Sequence, residues 1–163
     1  MSYQVIPFSS TLIKKQAISA IEKCNDLSAA HGLILSRNEI VELVETRFNT
    51  LVANGRLEFG GGVIEILIRE FSDSPFITLE NYAETLRELI EIFYFYKNET
   101  LDLVSDDALI EFMKKNFNGA CQGSLDLLSG RELANMARSL RYGESQVYPE
   151  RYRPEDDGGD KDV

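Results

Sequence analysis

Gly60-Gly61-Gly62-Val63-Ile64-Glu65-Ile66-Leu67-Ile68-Arg69-Glu70-Phe71 is the stretch on which the fold turns. Read with a helical period, it places Ile64, Leu67, Ile68 and Phe71 on one face. Read with a period of two, it sets Ile64, Ile66 and Ile68 against Glu65 and Arg69. A strand needs a partner, and no convincing second strand is visible along the chain. The helical reading follows, and with it an all-α fold.

The three glycines ahead of this run pose a chemical question. A Walker-type phosphate loop requires Gly-Lys-Ser/Thr after four spacers, and no lysine follows here. A dinucleotide turn requires G-x-G-x-x-G after a strand, and both spacing and context differ. What remains is a generic anion site, with the amides of Gly60, Gly61 and Gly62 at a helix N-terminus. Arg56 or Arg69 would supply the counter-charge. The competing structural reading is that glycines between helices serve positive φ or close backbone approach. That reading is the more economical.

The flanking sequence supplies helices on both sides. An extended lead through Pro7 and Phe8 precedes a helix capped by Ser9 or Ser10 and carrying Leu12, Ile13, Ala17, Ile18, Ile21 and Cys24. His31-Gly32 stops it. Ser36-Arg37-Asn38-Glu39 fits a capping box for a second helix. Arg47 breaks that helix's apolar arc and must snorkel or find a carboxylate, because an unpaired buried charge is costly. Ser72-Asp73-Ser74-Pro75 makes a turn. Thr78 then caps the longest helix, Leu79 to about Lys97, with a core stripe of Tyr82, Leu86, Leu89, Ile90, Phe93 and Tyr96. Ser105-Asp106-Asp107 opens a further helix with acids in its first turn. Ser129-Gly130-Arg131-Glu132 reads as a second capping box.

The architecture expected is one domain over residues 1–143, an irregular bundle of about six helices. Residues 144–163 carry seven acids and two adjacent glycines. Such a segment buries too little to offset its ordering entropy, so it reads as a disordered acidic tail.

Composition narrows the function. A net charge of −10, from 27 acids and 17 bases, opposes a nucleic-acid partner and anionic lipid. The longest apolar run, Ile92 to Tyr96, is far short of the ~20 residues that span a bilayer. MSYQVIPFSSTLIKK lacks the basic and long apolar regions of a signal peptide, and two cysteines are too few for a disulfide framework. A cytoplasmic protein with reduced thiols is the reading.

Candidate chemistry is thin. His31 is the single histidine, without a spaced second metal ligand. Cys24 lies on an apolar helix face, and Cys121 in a loop of small residues reads as a buried hydrophobe more readily than as a reactive thiol. No catalytic residue, metal site or cofactor is assigned. Glu80, Glu84, Glu88 and Glu91 fall on one side of the long helix, without the Glu-x-x-His of di-metal bundles. Phe95, flanked by Tyr94, shares that side. An aromatic among acids points to a contact surface for another protein, with a basic one the natural electrostatic match.

Glu58-Phe59-Gly60-Gly61-Gly62, Asp73-Ser74-Pro75-Phe76, Asn81 to Leu86, Ile92 to Glu99 and Cys121 to Leu125 together resemble a family of short, acidic bacterial proteins known as a domain of unknown function. The resemblance spans most of residues 10–142. It implies a bacterial, cytoplasmic setting and carries no activity. Two functions therefore stand: a non-catalytic protein-interaction module, and a small enzyme or phosphate-binding domain built on Gly60 to Gly62.

Overall fold

The computed structural model describes residues 2–142, with side chains from residue 11 onward. Every regular element among these residues is helical. In order they are α1 (Ser2–Ser28), α2 (Arg37–Ala53), α3 (Gly62–Phe71), α4 (Tyr82–Glu99) and α5 (Asp106–Asn118). A sixth helix, α6, starts at Leu125–Leu127, widens into a π-helical stretch at Leu128–Leu133, and finishes at Ala134–Arg141. The expected tail at 144–163 lies outside the described residues. The chain groups into two compact units, Met1–Glu91 and Ile92–Val163.

In the first unit α1 packs on both α2 and α3. The stretch that decided the fold is helix α3, and Ile64, Leu67, Ile68 and Phe71 are buried along one face. Each such side chain contributes roughly 1.5–3 kcal/mol of transfer free energy when fully buried. The capping box of α2 is present in both directions, Glu39 N–H to Ser36 Oγ and Ser36 N–H to the Glu39 carboxylate. Gly32 ends the preceding turn at φ 78°, a left-handed conformation in which a side chain would be strained. Asn25 then fastens the following segment to α1, donating to the Leu35 carbonyl and accepting from its amide.

Three boundaries differ from the sequence reading. Helix α1 runs back through Pro7 to Ser2. Pro7 is the sixth residue of that helix, past the first turn, and withdraws one backbone donor from it. Helix α4 starts at Tyr82, not Leu79, because Thr78 and Asn81 exchange bonds and hold the intervening residues as a turn. Ser129 is not a cap. The cap is Ser124, whose hydroxyl accepts from the Leu127 amide, and Ser129 to Glu132 continue the helix through its widened stretch.

The second unit places Leu109, Ile110, Met113 and Phe117 of α5 in its core, with α5 and the final segment of α6 both packed on the π-helical stretch. That stretch leaves the Ser129 carbonyl open to the Tyr96 hydroxyl at 2.5 Å. A bond from Tyr96 to the widened turn fixes the aromatic side chain that lines the groove described next.

Candidate functional site

The glycine turn resolves two sequence puzzles together. Gly60 and Gly62 have φ of 60° and 52°, the region where glycine is favoured over any L side chain. Arg47, the residue that breaks the apolar arc of α2, is only 2% exposed and points into this turn. Its Nη2 donates to the Gly60 carbonyl at 2.9 Å. Its Nη1 lies 3.7 Å from the Glu58 carboxylate. A Cβ built on Gly62 would stand 2.3 Å from Arg47 Nη1 and 2.4 Å from Glu58 Oε1, so the third glycine makes room for this pair.

Of the three glycine amides expected to meet an anion, that of Gly61 meets a carboxylate, as does the neighbouring Val63 amide, and both acids belong to the chain itself. Val63 N–H donates to Glu58 at 3.3 Å and Gly61 N–H to Glu65 at 3.1 Å. Of the two arginines proposed for the turn, Arg69 is exposed and pairs with Glu70 at 3.8 Å, while Arg56 is half-buried. Arg47, which the sequence did not assign to the turn, is a cation at it. The sequence signal was its position on an apolar face, which demanded a partner without naming it.

On α4 the acidic residues split in role. Glu84 and Glu91 are exposed and bridged by Arg87, which bonds both carboxylate oxygens of Glu84 and reaches Glu91 at 3.1 Å. Arg87 holds the Glu84 carboxyl below the usual glutamate range. Glu88 is half-buried, and Glu80 sits exposed in the turn before the helix. Arg87 thus offsets one of the four acidic charges, shared between Glu84 and Glu91. Tyr94 requires a correction, because it is buried and packs edge-on against Phe93 at 4.9 Å. One residue from Phe95 is a rotation of about 100° around a helix, which carries Tyr94 to the core side, four residues after buried Ile90.

Phe95 itself is 54% exposed. It opens onto a groove of about 280 Å³ in the second unit, shared with Tyr96 and Glu99 of α4 and with Ala134, Ala137, Arg138, Arg141 and Tyr142 at the end of α6. Ala134 and Ala137 are small residues three apart on α6, and they leave the floor open. Arg141 Nη2 bonds the Glu99 carboxylate at 2.6 Å, and Arg138 Nη1 bonds Asn135 at 2.8 Å. Two arginines against one carboxylate leave the lining with one positive charge in excess.

The Glu99–Arg141 pair also borders a second depression, about 120 Å³, lined by Leu101 and Leu103. Leu101 and Asp102 both have positive φ, 55° and 59°. Asp102 N–H bonds the Lys97 carbonyl at 3.0 Å, closing the end of α4 in a left-handed cap where glycine is the usual occupant. Leu101 is therefore both strained and exposed. None of Leu101, Arg138, Arg141 and Tyr142 stands out in the sequence, since each reads there as an ordinary helix-end residue.

The thiols are poorly suited to chemistry. Burial raises both Cys24 and Cys121 above the ordinary thiol range, so neither is held as a thiolate. No group of three or more metal-ligating side chains occurs among the described residues, and none of the described helices is long and apolar enough to cross a membrane.

Residues 20–146 match the model of a family described as a family of unknown function (DUF6323). No curated protein and no solved structure matches the chain.

Proposed function

Starting from a chain that belongs to this family of unknown function, which brings no activity with it, we propose that it is a non-catalytic protein-interaction module of the bacterial cytoplasm. The groove between Phe95 and Tyr142 is its docking surface. One observation carries this reading: an exposed aromatic at each lip, two arginines between them, and a floor of small residues. Aromatic residues and arginine are the types enriched where protein partners contribute most binding energy.

The occupant is a segment with an apolar or aromatic anchor beside an Asp or Glu. The anchor fills the space above Ala134 and Ala137, and the acid meets the excess charge of Arg138 and Arg141. This choice departs from a basic partner, because the groove that holds Phe95 is lined by Arg138 and Arg141 against the single carboxylate of Glu99. Leu101 and Leu103 extend the apolar contact beyond the Glu99–Arg141 pair.

Panning a random-peptide display library against the full chain tests the proposal. Enriched peptides should combine an aromatic with an adjacent acid, and should lose binding to Phe95→Ala and to Arg138→Glu. Peptides that bind Phe95→Ala as well as the native chain would reject the groove. Concentration-dependent self-association lost in the same variants would instead identify a second copy as the occupant.

A further inference from the structure

We propose that the turn at the head of α3 is a binding site for a small phosphate-class oxyanion, a place that Glu58 fills in this structure. The site is separate from the groove and does not depend on it.

Arg47 carries the argument. Its side chain is 2% exposed, yet Nε and Nη1 have no hydrogen-bond partner, and only Nη2 is satisfied, by the Gly60 carbonyl. Buried N–H groups left unpaired are rare, and a guanidinium is shaped to grip an oxyanion through two parallel bonds. The Glu58 carboxylate stands 3.7 Å from Nη1, well beyond the roughly 2.7–2.9 Å of a charge-assisted bond. Its bond to the Val63 amide is also long, at 3.3 Å. Glu58 therefore stands in the place of an anion and leaves the guanidinium unsatisfied.

The surroundings supply the rest of a site. Helix α3 directs its N-terminus, and hence the positive end of its dipole, at this point. Nη1 occupies the space that a Gly62 Cβ would need, so the guanidinium reaches the backbone directly. The Glu58 side chain is 22% exposed, which puts its carboxylate at the surface with a route into water. Glu65 stays on the Gly61 amide and adds a negative charge nearby. Displacing one carboxylate beside another calls for a dianion, and the several oxygens of a phosphate reach both Arg47 and the Val63 amide. Leu57 and Phe59, both exposed, flank Glu58 in sequence and suit the organic part of a phosphomonoester.

The test follows backbone amides of the full chain by 15N chemical shift during titration with inorganic phosphate, a simple phosphomonoester, and chloride as the ionic-strength control. The Gly61, Gly62 and Val63 amides should move with either phosphate and not with chloride. Glu58→Gln should tighten binding by about tenfold, the size of one charged hydrogen bond no longer contested. Arg47→Lys should abolish it, and its own amide spectrum reports whether it has folded. Equal affinity for both phosphates identifies the free ion as ligand, and tighter ester binding identifies an esterified one. Amides of the turn that stay still in both native chain and Glu58→Gln would overturn the proposal. So would shifts that persist in a folded Arg47→Lys.

Discussion

Arg47 and Glu58 stand 3.7 Å apart across the glycine turn, the guanidinium buried and the carboxylate partly in water. Gly62 separates them by nothing more than a missing Cβ. An apolar-face arginine and a glycine run that look unrelated in sequence are two halves of one local structure.

Substitution at Gly62 should therefore cost more than at Gly60. Both have positive φ, which costs a non-glycine residue roughly 1–2 kcal/mol. Gly60 has open space around a built Cβ, whereas Gly62 meets Arg47 and Glu58. Urea unfolding of Gly60→Ala and Gly62→Ala should show the second variant clearly less stable. Equal losses would mean that the Arg47–Glu58 pair yields without cost.

Tyr82 gives a different kind of prediction. Its hydroxyl is buried without a regular hydrogen bond, near Ser28 and Ser72, whose own protons go to the carbonyls of Leu33 and Ile68. Removing an unsatisfied hydroxyl is near neutral or stabilising, so Tyr82→Phe should change stability by less than about 1 kcal/mol. Burial also raises the Tyr82 pKa above the ordinary tyrosine value. The unfolded chain then loses this proton first, so its contribution is intact below about pH 10 and is lost as pH rises further. Tyr82→Phe should flatten that alkaline decline. A loss well above 1 kcal/mol would show that the hydroxyl is bonded after all.

The Glu84–Arg87 pair acts at the other end of the scale. Arg87 lowers the Glu84 pKa, so the pair's stabilisation is present above the ordinary glutamate range, about 4.3, and fades as pH falls through the lowered value. Both side chains are well exposed, so the effect should not exceed about 0.5 kcal/mol. Comparing acid melts of the native chain and Arg87→Ala measures it. A larger difference would mean that the α4 acids are shielded from solvent.

Most of the fold was legible because helices announce themselves locally. The Ser36–Glu39 capping box, the Ser105 cap and the α4 stripe from Tyr82 to Tyr96 all rest on neighbours within a turn or two. The errors arose where a local signal had two readings. Ser129-Gly130-Arg131-Glu132 has the composition of a cap, but Ser124 starts the helix earlier and the chain continues through a π-helical stretch. The candidate sites depend on pairings distant in sequence. Phe95 was visible as an exposed aromatic, whereas Arg138, Arg141 and Tyr142 join it only because the end of α6 borders the same groove.

Leu101 tests whether the groove's edge is kept for contact. Its left-handed conformation is one glycine adopts freely, so Leu101→Gly should raise stability by about 1 kcal/mol. The same change removes an exposed apolar side chain beside the Glu99–Arg141 pair and should weaken capture of a groove-binding peptide. A stabilised variant with unaltered binding would take Leu101 out of the docking surface.

Whether the groove beside Phe95 receives a partner segment is decided by mapping. A peptide selected by panning is titrated into the full chain while backbone amide shifts are followed. Changes should be confined to residues 95–103 and 134–142 and absent in a Phe95→Ala variant whose melting temperature matches the native chain. Changes centred on Glu84, Glu88 and Glu91, or on the glycine turn, would contradict docking in the groove.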